Sequence, residues 1–376
     1  MKIVHVYKSY YPHTFGGIEK FIDTLCTNTA ARGIQNELVT TAPCDEITYD
    51  NSAHLNKSFY PATIEKFSCP MSFSLLRNFR SKVKTADIIH FHFPWPFADL
   101  LKLVSHIKKP YIVTYHSDII RQKLIMPIYF PLMKHFLSRA NKIVATSENY
   151  VKSSPILKHF PHNVGVIPIG LNNCFSDCNE PKPPEKPYFL FVGVLRQYKG
   201  LQFLIEAMRA VENYHLIIAG DGPCYVELKA LIARYQLKNV MLVGHVDETT
   251  KFELYQNAYG VVSSAHLRNE AYCYMLVEGL MFGKPLISTE LSTGTSFVNA
   301  NKKTGVVVPA SNACALRRAM NELFENKAVA AEYGANGRAR FLELFTADKM
   351  TDAYIDIYKE VSEPRTKRSE SERVKH

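Results

Sequence analysis

The stretch that decides the fold is RNEAYCYMLVEGLMFGK, residues 268–284. A polar turn leads into apolar residues at spacings of three and four, which predicts a helix. Glu270 lies just before this helix and Glu278 lies inside it. Eight residues are about two helical turns, so both carboxylates are expected on one face. The apolar neighbours of Glu278 indicate burial, and a buried carboxylate needs a partner. On this segment alone, an acid at a helix start plus a solvated face is an equally good interpretation.

Around this stretch the chain alternates strands with helices, in two runs separated by a proline-rich segment. This pattern predicts an α/β fold of two Rossmann-like domains, each with a doubly wound parallel sheet. The predicted bounds are 1–170, a linker at 171–187, 188–346, a helix at 347–362 and a disordered tail at 363–376. The strands are predicted at 2–7, 37–41, 59–67, 87–93, 111–116, 142–147 and 164–169, and then at 188–194, 216–219, 240–246, 260–264, 285–289 and 305–309.

The composition is that of an ordinary globular protein, with 47% hydrophobic and 21% charged residues in 376. The eight cysteines form no Cys-x2-Cys pair, so we expect no structural zinc site. Scattered thiols, and an N-terminus that runs directly into a strand, favour a reducing cytoplasm. No apolar run reaches the length of a transmembrane helix.

The net charge of +10 is concentrated in one segment. Residues 77–158 contain fourteen Lys and Arg residues against four acids, so the rest of the chain is neutral. Such a segment suits an anionic membrane, a phosphorylated substrate or nucleic acid. Solvated helix faces are the alternative, which a single-sign bias on this scale disfavours. Residues 125–137 add an apolar, aromatic run that is either core or a surface resting on lipid. Pro127 and Pro131 argue against a single straight helix there.

Three turns carry candidate chemistry. Gly16-Gly17 joins the first strand to a helix, a phosphate-compatible arrangement. The dinucleotide fingerprint Gly-x-Gly-x-x-Gly is absent from both halves, which excludes an ordinary NAD-binding site. Arg196 and Lys199 follow the first strand of the second half, where two cations near a helix start form a diphosphate clamp. His116 ends a strand, where a lone histidine is more often structural than functional.

Taken in order, these motifs resemble those of retaining GT-B glycosyltransferases of family 4. The resemblance covers nearly the whole chain, and it is closest to bacterial mannosyltransferases that assemble O-antigen polysaccharide. It implies two domains that face each other across a cleft. The motifs that carry it are Gly16-Gly17, Thr114-x-His116, the turn at 193–200, Gly220-Asp-Gly-Pro and Glu270-x7-Glu278.

The resemblance also implies roles for individual residues. Glu278 would hold the donor ribose, and His116 and Glu270 would lie at the reaction centre. Tyr272-Cys273 departs from the family, which has Phe-Gly there, and Val194 holds the place of the usual clamp arginine. The other implied donor-binding residues are Gly16, Gly17, Arg196, Lys199, Val246, Tyr272 and Cys273, and the implied acceptor-binding residues are Ser117 and Asp118. His90 and His92, in the run HFHFPWPF, are either packing residues or part of the acceptor-binding wall.

No Asp-x-Asp occurs, so we expect neither a metal site nor a cofactor. Arg196, Lys199 and helix N-termini would stabilise the leaving nucleoside diphosphate instead. The resemblance implies an α-mannosyltransferase that uses GDP-mannose and a glycan on a polyprenyl diphosphate, held peripherally at the inner face of the cytoplasmic membrane. The alternatives are a UDP-sugar-dependent glycosyltransferase of another surface polysaccharide or glycolipid, and a sugar-nucleotide epimerase. A nucleic-acid binder would not explain the glutamate pair, so no nucleic acid is expected.

Overall fold

The computed structural model describes residues 1–66, 68–119, 126–175 and 184–363. These residues form two compact units, each built on its own sheet. Unit 1 contains residues 1–146, 154–170 and 347 onward, and unit 2 contains residues 147–153 and 171–346. Within the described ranges, no helix combines the length and the apolar character that crossing a bilayer requires. Residues 176–183 of the predicted linker and the predicted tail from 364 lie outside the described residues.

The strands are, in chain order, β1 (Lys2–Val6), β2 (Gln35–Ala42), β3 (Thr48–Asn51), β4 (Asn56–Pro61), β5 (Ile64–Lys66), β6 (Cys69–Met71), β7 (Ile88–Phe93), β8 (Tyr111–Tyr115), β9 (Lys142–Ala145), β10 (Val164–Val166), β11 (Tyr188–Val192), β12 (His215–Ala219), β13 (Val240–Gly244), β14 (Gly260–Val262), β15 (Leu286–Glu290) and β16 (Gly305–Pro309).

The helices are α1 (Gly17–Ala30), α2 (Phe73–Lys82), α3 (Pro96–Val104), α4 (Met126–Ser138), α5 (Glu148–Ser153), α6 (Leu201–Ala207), α7 (Tyr225–Arg234), α8 (Glu248–Asn257), α9 (Tyr274–Met281), α10 (Gly294–Val298), α11 (Ala313–Glu325), α12 (Lys327–Leu344) and α13 (Ala347–Ser362).

The sheet of unit 1 has eight strands in the order β10-β9-β8-β7-β1-β2-β4-β3. All neighbours are parallel except the edge pair β3 and β4. The predicted parallel sheet is therefore confirmed. The predicted strand at 59–67 is wrong: β4 ends at Pro61, and β5 pairs antiparallel with β6 as a separate hairpin. Residue 67 itself lies outside the described residues.

Helix α4 contains both prolines, although the sequence argued against a single straight helix there. Pro127 lies in its first turn, where a missing N–H costs nothing, and Pro131 is accommodated inside the helix. Phe136 is buried while Ile128 is 83% exposed, so one side of α4 packs in the core and the other faces solvent. Residues 120–125, which precede α4, lie outside the described residues.

Helix α13 completes the core of unit 1. It packs against α1 and β7, and its Tyr354 and Tyr358 are fully buried. The Tyr358 hydroxyl lies 2.8 Å from His90 Nδ1 on β7. The segment predicted at 347–362 thus packs two buried tyrosines against the sheet of unit 1.

Unit 2 has six strands, all parallel, in the order β13-β12-β11-β14-β15-β16. Helix α9, which carries Glu278, connects the neighbours β14 and β15. The carboxyl ends of β11 and β14 are adjacent because these strands pair. The turns that follow them are therefore brought together at one edge, where open α/β sheets bind ligands.

Candidate active site

An ion pair between Lys199 and Glu270 lies at the carboxyl edge of unit 2. Lys199 follows β11, Glu270 follows β14, and the ammonium donates to Glu270 Oε2. Both side chains are mostly buried, 12% and 9% exposed. Burial alone would lower the pKa of Lys199, but the Glu270 carboxylate outweighs burial and raises that pKa above its usual value. Lys199 therefore stays protonated, and the two predicted residues neutralise each other when no ligand is bound.

Glu278 has two partners on α8. Lys251 Nζ lies 3.1 Å from Glu278 Oε1, and the Tyr255 hydroxyl donates to Glu278 Oε2 at 2.8 Å. The predicted burial of Glu278 is confirmed, and Lys251 is the partner that burial requires. A carboxylate oxygen has two lone pairs and can accept more than one hydrogen bond.

Sequence reasoning missed both partners of Glu278. Lys251 and Tyr255 are four residues apart and so share a face of α8, a spacing that could have flagged them. The helix begins with Glu248-Thr-Thr-Lys, a polar run that concealed the burial of Lys251. Lys251 also contacts the more exposed Glu248, at 2.7 Å from its Oε1.

Helix α9 begins at Tyr274, later than the glutamate spacing suggested. Glu270 lies in the preceding turn, so the expectation that both glutamates share a helix face is wrong. Cys273 immediately precedes the helix with φ +76°, the left-handed region that favours glycine. Its thiol lies 3.6 Å from Ser263 Oγ, and burial, followed by the charge of Glu270, raises its pKa to about 12. Tyr272 is also buried.

The turn that carries the predicted clamp is held by a glycine loop. Leu195 N donates to Asp221 O at 2.9 Å, and a Cβ on Gly220 or Gly222 would lie 2.0 Å from Gly193 O or 2.7 Å from Leu195 N. Gly220-Asp-Gly-Pro therefore positions the turn after β11. Arg196 in that turn is exposed, unlike Lys199, and Val246 is half-buried just beyond β13. The structure brings Lys199 to Glu270 and leaves Arg196 at the surface.

The carboxyl edge of unit 1 presents His116 at the end of a histidine chain. His116 Nε2 lies 3.3 Å from His92 Nδ1, and His92 Nε2 lies 3.1 Å from His5 Nδ1. The His116 ring also packs edge-on against Phe21. Burial lowers the pKa of His116 to about 3 and that of His5 to about 4. These imidazoles are neutral at physiological pH, and His5 is a member that sequence reasoning missed.

Three of these imidazoles could be considered as metal ligands. The ring nitrogens of His5, His90 and His92 lie within 4.8 Å of one another, and all three residues are buried. Three neutral imidazoles would suit zinc. However, both His90 nitrogens already pair with hydroxyls, those of Tyr358 and Thr114. The cluster is thus arranged as a hydrogen-bonded network in which His90 has no nitrogen to spare.

One further predicted position, Asp118, has hydrogen-bond partners inside unit 1. Asp118 Oδ1 accepts from the Tyr115 hydroxyl at 2.8 Å and from Ser154 Oγ at 2.6 Å, which anchors the turn after β8. Ser117 beside it is half-buried. Asp118 thereby fixes the segment in which His116 and Ser117 lie.

Gly16 packs against a buried acid that sequence reasoning missed. Glu19 Oε1 accepts from Thr14 Oγ1 at 2.8 Å and from Ser9 Oγ at 3.2 Å. A Cβ on Gly16 would lie 2.6 Å from Glu19 Oε2. A side chain at this position would displace the Glu19 carboxylate, which is the end of a flexible side chain, so this contact alone does not demand glycine. Gly17 is the first residue of α1.

Comparison with protein families gives two adjoining matches. A model described as Glycosyltransferase Family 4 matches residues 15–173, and one described as Glycosyl transferases group 1 matches residues 176–340. Among curated proteins, O-antigen chain mannosyltransferase C of Escherichia coli is 40% identical, over 97% of this chain and 100% of that protein. The D-rhamnosyltransferase WbpZ of Pseudomonas aeruginosa is 39% identical, over 92% of this chain and 93% of that protein.

Solved structures share the fold at much lower identity. Sucrose-phosphate synthase from Thermosynechococcus elongatus has a TM-score of 0.76 at 19% identity, covering 96% of this chain and 98% of that one. Anabaena Alr3699/HepE in complex with UDP has a TM-score of 0.76 at 14% identity, covering 96% and 100%. Both agree with an architecture of two parallel sheets.

Proposed function

The chain belongs to the GT-B glycosyltransferases, with a family 4 domain followed by a group 1 domain, and from that premise we propose a specific reaction. It is a retaining α-mannosyltransferase that moves mannose from GDP-mannose to an oligosaccharide on a polyprenyl diphosphate, in O-antigen biosynthesis. The relatives named for O-antigen mannosyl transfer and D-rhamnosyl transfer support this choice.

The observation that carries the proposal is the arrangement of two carboxylates and two lysines in unit 2. A nucleotide sugar offers ribose hydroxyls, which donate hydrogen bonds, and a diphosphate, which accepts them. Glu278, fixed by Lys251 and Tyr255, supplies an acceptor for the ribose. Lys199, kept charged by Glu270, supplies a cation for the diphosphate. Both groups are held in place before the donor arrives, which lowers the cost of binding.

The chemistry needs no covalent enzyme intermediate. The bond between C1 of the sugar and the diphosphate oxygen breaks, and the acceptor oxygen bonds to C1 from the same face. The acceptor proton passes to the departing diphosphate, so atoms and charge balance. Lys199 stabilises the negative charge that develops on that diphosphate. Glu270 is placed beside the sugar, with neutral His116 as a hydrogen-bond partner for sugar or acceptor.

The remaining predicted residues complete the two binding sites. Gly16, Gly17, Val246, Tyr272 and Cys273 contribute to the donor site, and Arg196 joins Lys199 at the diphosphate. Ser117, Asp118 and His92 shape the acceptor site. No divalent metal takes part in this scheme, since Lys199 and Arg196 supply the positive charge at the diphosphate.

A second donor is favoured by one specific observation. The two relatives near 40% identity are named for mannose and for D-rhamnose. D-rhamnose is 6-deoxymannose, so the two sugars differ only in the hydroxyl at C6. GDP-D-rhamnose is therefore the alternative donor, and the C6 hydroxyl is the group that a specificity test has to address.

The acceptor places the enzyme at a membrane. A glycan on a polyprenyl diphosphate is tethered to the bilayer, and the excess charge of residues 77–158 suits anionic lipid. Peripheral association with the inner face of the cytoplasmic membrane follows from the proposal.

A donor panel tests the proposal. GDP-mannose, GDP-D-rhamnose and UDP-glucose are compared by thermal unfolding and by release of nucleoside diphosphate, with and without a lipid-linked glycan and with a chelator present. At 100 times its dissociation constant, the donor should stabilise the fold by about 2.7 kcal/mol. Turnover that needs the acceptor and survives the chelator is expected. Stabilisation and turnover by UDP-glucose alone would overturn the donor, and conversion of a donor without any acceptor would indicate an epimerase.

A further inference from the structure

A basic groove of about 660 Å³ opens on unit 1, away from the residues discussed so far. One wall is the end of α2 and the residues after it, and the other is the loop before β8. Five of the eight lining residues are permanent cations, and none is an acid. The lining residues are Arg77, Arg80, Ser81, Lys84, His106, Ile107, Lys108 and Lys109.

The groove lies at the opposite edge of the sheet from the candidate active site. Helix α2 leads into β7 and the loop at 106–110 leads into β8, so both walls are at the amino ends of strands. His116 follows the carboxyl end of β8. The five residues of β8 separate these edges by about 16 Å. The groove is therefore a separate feature from the donor and acceptor sites.

Within the described ranges, the five cations of the groove form no salt bridge. Within the described ranges, the salt-bridged lysine of α2 is Lys82, which pairs with Glu37 at 2.5 Å on another face. Arg77, Arg80, Lys84 and Lys108 are exposed and make no salt bridge in the same ranges. Five like charges around one groove repel one another, and an anion placed among them relieves that repulsion.

Two exposed apolar side chains lie just before the groove loop in the sequence. Leu103 and Val104, at the end of α3, are 42% and 45% exposed and precede His106 by only two to three residues. Basic side chains next to exposed aliphatic ones match the boundary of a bilayer, where phosphate headgroups meet acyl chains. A small soluble anion would use the cations but would gain nothing from Leu103 and Val104.

We propose that this groove docks unit 1 on anionic phospholipid headgroups, with Leu103 and Val104 entering the headgroup boundary. It thereby gives the membrane association of the proposed function a definite surface. Docking at the amino edge holds His116 about one strand length, about 16 Å, from the lipid surface. An acceptor anchored in the bilayer must therefore carry sugars beyond its lipid diphosphate to reach His116 at the carboxyl edge. This requirement fits the extension of an existing glycan. This last step rests on the proposed function, whereas headgroup binding does not.

The test is co-sedimentation of the full chain with phosphatidylcholine vesicles, with or without phosphatidylglycerol. The groove variant R77Q/R80Q/K108Q is compared with the control K134Q/R139Q/K158Q. The control removes three exposed charges from the same basic segment without touching the groove. Each basic residue near an anionic surface contributes about fivefold in partitioning, so the groove variant should bind about 100-fold more weakly. The vesicle affinity of the control variant should fall far less. The variant L103N/V104N should also bind vesicles more weakly than wild type, although its charge is unchanged.

Three results would overturn the proposal. The groove variant could bind vesicles as tightly as wild type. The two triple variants could lose vesicle affinity to the same extent, which would mean that the overall charge of the segment, and not the groove, binds the lipid. Inorganic pyrophosphate could bind in a groove-dependent manner while vesicles do not, which would mean a soluble ligand. None of these measurements requires turnover, so a failed donor assignment leaves this test intact.

Discussion

His92 Nδ1 lies 3.3 Å from His116 Nε2 in the core of unit 1. The other nitrogen of His92 lies 3.1 Å from His5 Nδ1. A neutral imidazole has one N–H and one bare nitrogen, so each link needs a donor and an acceptor. Because His92 uses both nitrogens, the two links run in the same direction. The tautomer of His116 is therefore coupled to that of His5, although the two rings do not touch.

We predict that breaking the far end of this chain changes the nitrogen that carries the proton on His116. In wild type, ¹⁵N NMR of the imidazoles should show a single dominant tautomer for His116. His5→Phe, or the milder His5→Gln, should shift that population, because His92 is released from its second partner. His162→Gln, a change at an exposed histidine, is the control. Unchanged His116 resonances in a folded His5 variant would refute the coupling.

A second prediction concerns pH. Burial lowers the pKa of His5 to about 4 and that of His116 to about 3, and also lowers those of His90 and His92. In the unfolded chain each histidine titrates near 6.5. Below that pH the unfolded state binds protons that the folded state excludes, so the free energy of unfolding falls by about 1.4 kcal/mol per pH unit for each histidine.

Stability should therefore be fully present above about pH 6.5 and should decline steeply toward pH 4. Urea unfolding at a series of pH values measures this slope. His5→Gln should make the slope shallower by about 1.4 kcal/mol per pH unit, because one titrating group is removed. A stability that stays flat between pH 7 and pH 5 would contradict the neutral, buried state of the cluster.

How much the sequence could predict depends on whether the relevant contacts are local. The parallel sheets and the burial of Glu278 follow from the apolar pattern along the chain. The partner Lys251, 27 positions away, depends on how α8 packs on α9, which no local pattern encodes. The same holds for His5, which meets His92 only because β1 pairs with β7. Gly16 was assigned to ligand approach, whereas its nearest constraint is Glu19.

The Lys199–Glu270 pair predicts strong energetic coupling. Lys199→Met leaves a mostly buried carboxylate without its cation, and Glu270→Gln leaves the ammonium without its anion. Breaking a buried pair from one side costs about 3–5 kcal/mol. The double variant removes both charges, so its loss of stability should be smaller than the sum of the single losses.

Urea unfolding of wild type, the two single variants and the double variant gives the coupling energy. If the two single losses of stability simply add up in the double variant, the pair is disproved. All three variants should also lose turnover. Loss of the charge that stabilises the leaving diphosphate raises the barrier by about 2–4 kcal/mol, or roughly 30- to 10³-fold in rate. Lys199 is therefore expected to contribute to stability as well as to turnover, because it stabilises Glu270.

Glu278 and Glu248 form a matched pair for testing the ribose contact. Both carboxylates contact Lys251, but the Glu278 side chain is 6% exposed and that of Glu248 is 69% exposed. Glu278→Gln should weaken donor binding by roughly tenfold or more, the cost of a charge-assisted hydrogen bond. Glu248→Gln should leave donor affinity within about twofold. Calorimetry with the donor nucleotide measures both, and equal affinities for the two variants would refute the ribose role.

The last prediction concerns Cys273, whose φ of +76° is costly for any residue with a Cβ. The left-handed conformation costs about 1–2 kcal/mol for such residues, and glycine avoids that cost. Cys273→Ala keeps the strain and loses the thiol contact with Ser263, whereas Cys273→Gly loses the thiol but relieves the strain. The glycine variant should therefore be the more stable of the two by about 1 kcal/mol.

At Cys314, in the first turn of α11, the order should reverse, because glycine in a helix is about 1 kcal/mol less stable than alanine. Thermal unfolding of the four variants decides the matter: alanine more stable than glycine at both positions would mean that the backbone at Cys273 is not strained. Cys273→Gly should also retain turnover, since it removes atoms beside Glu270 without adding any.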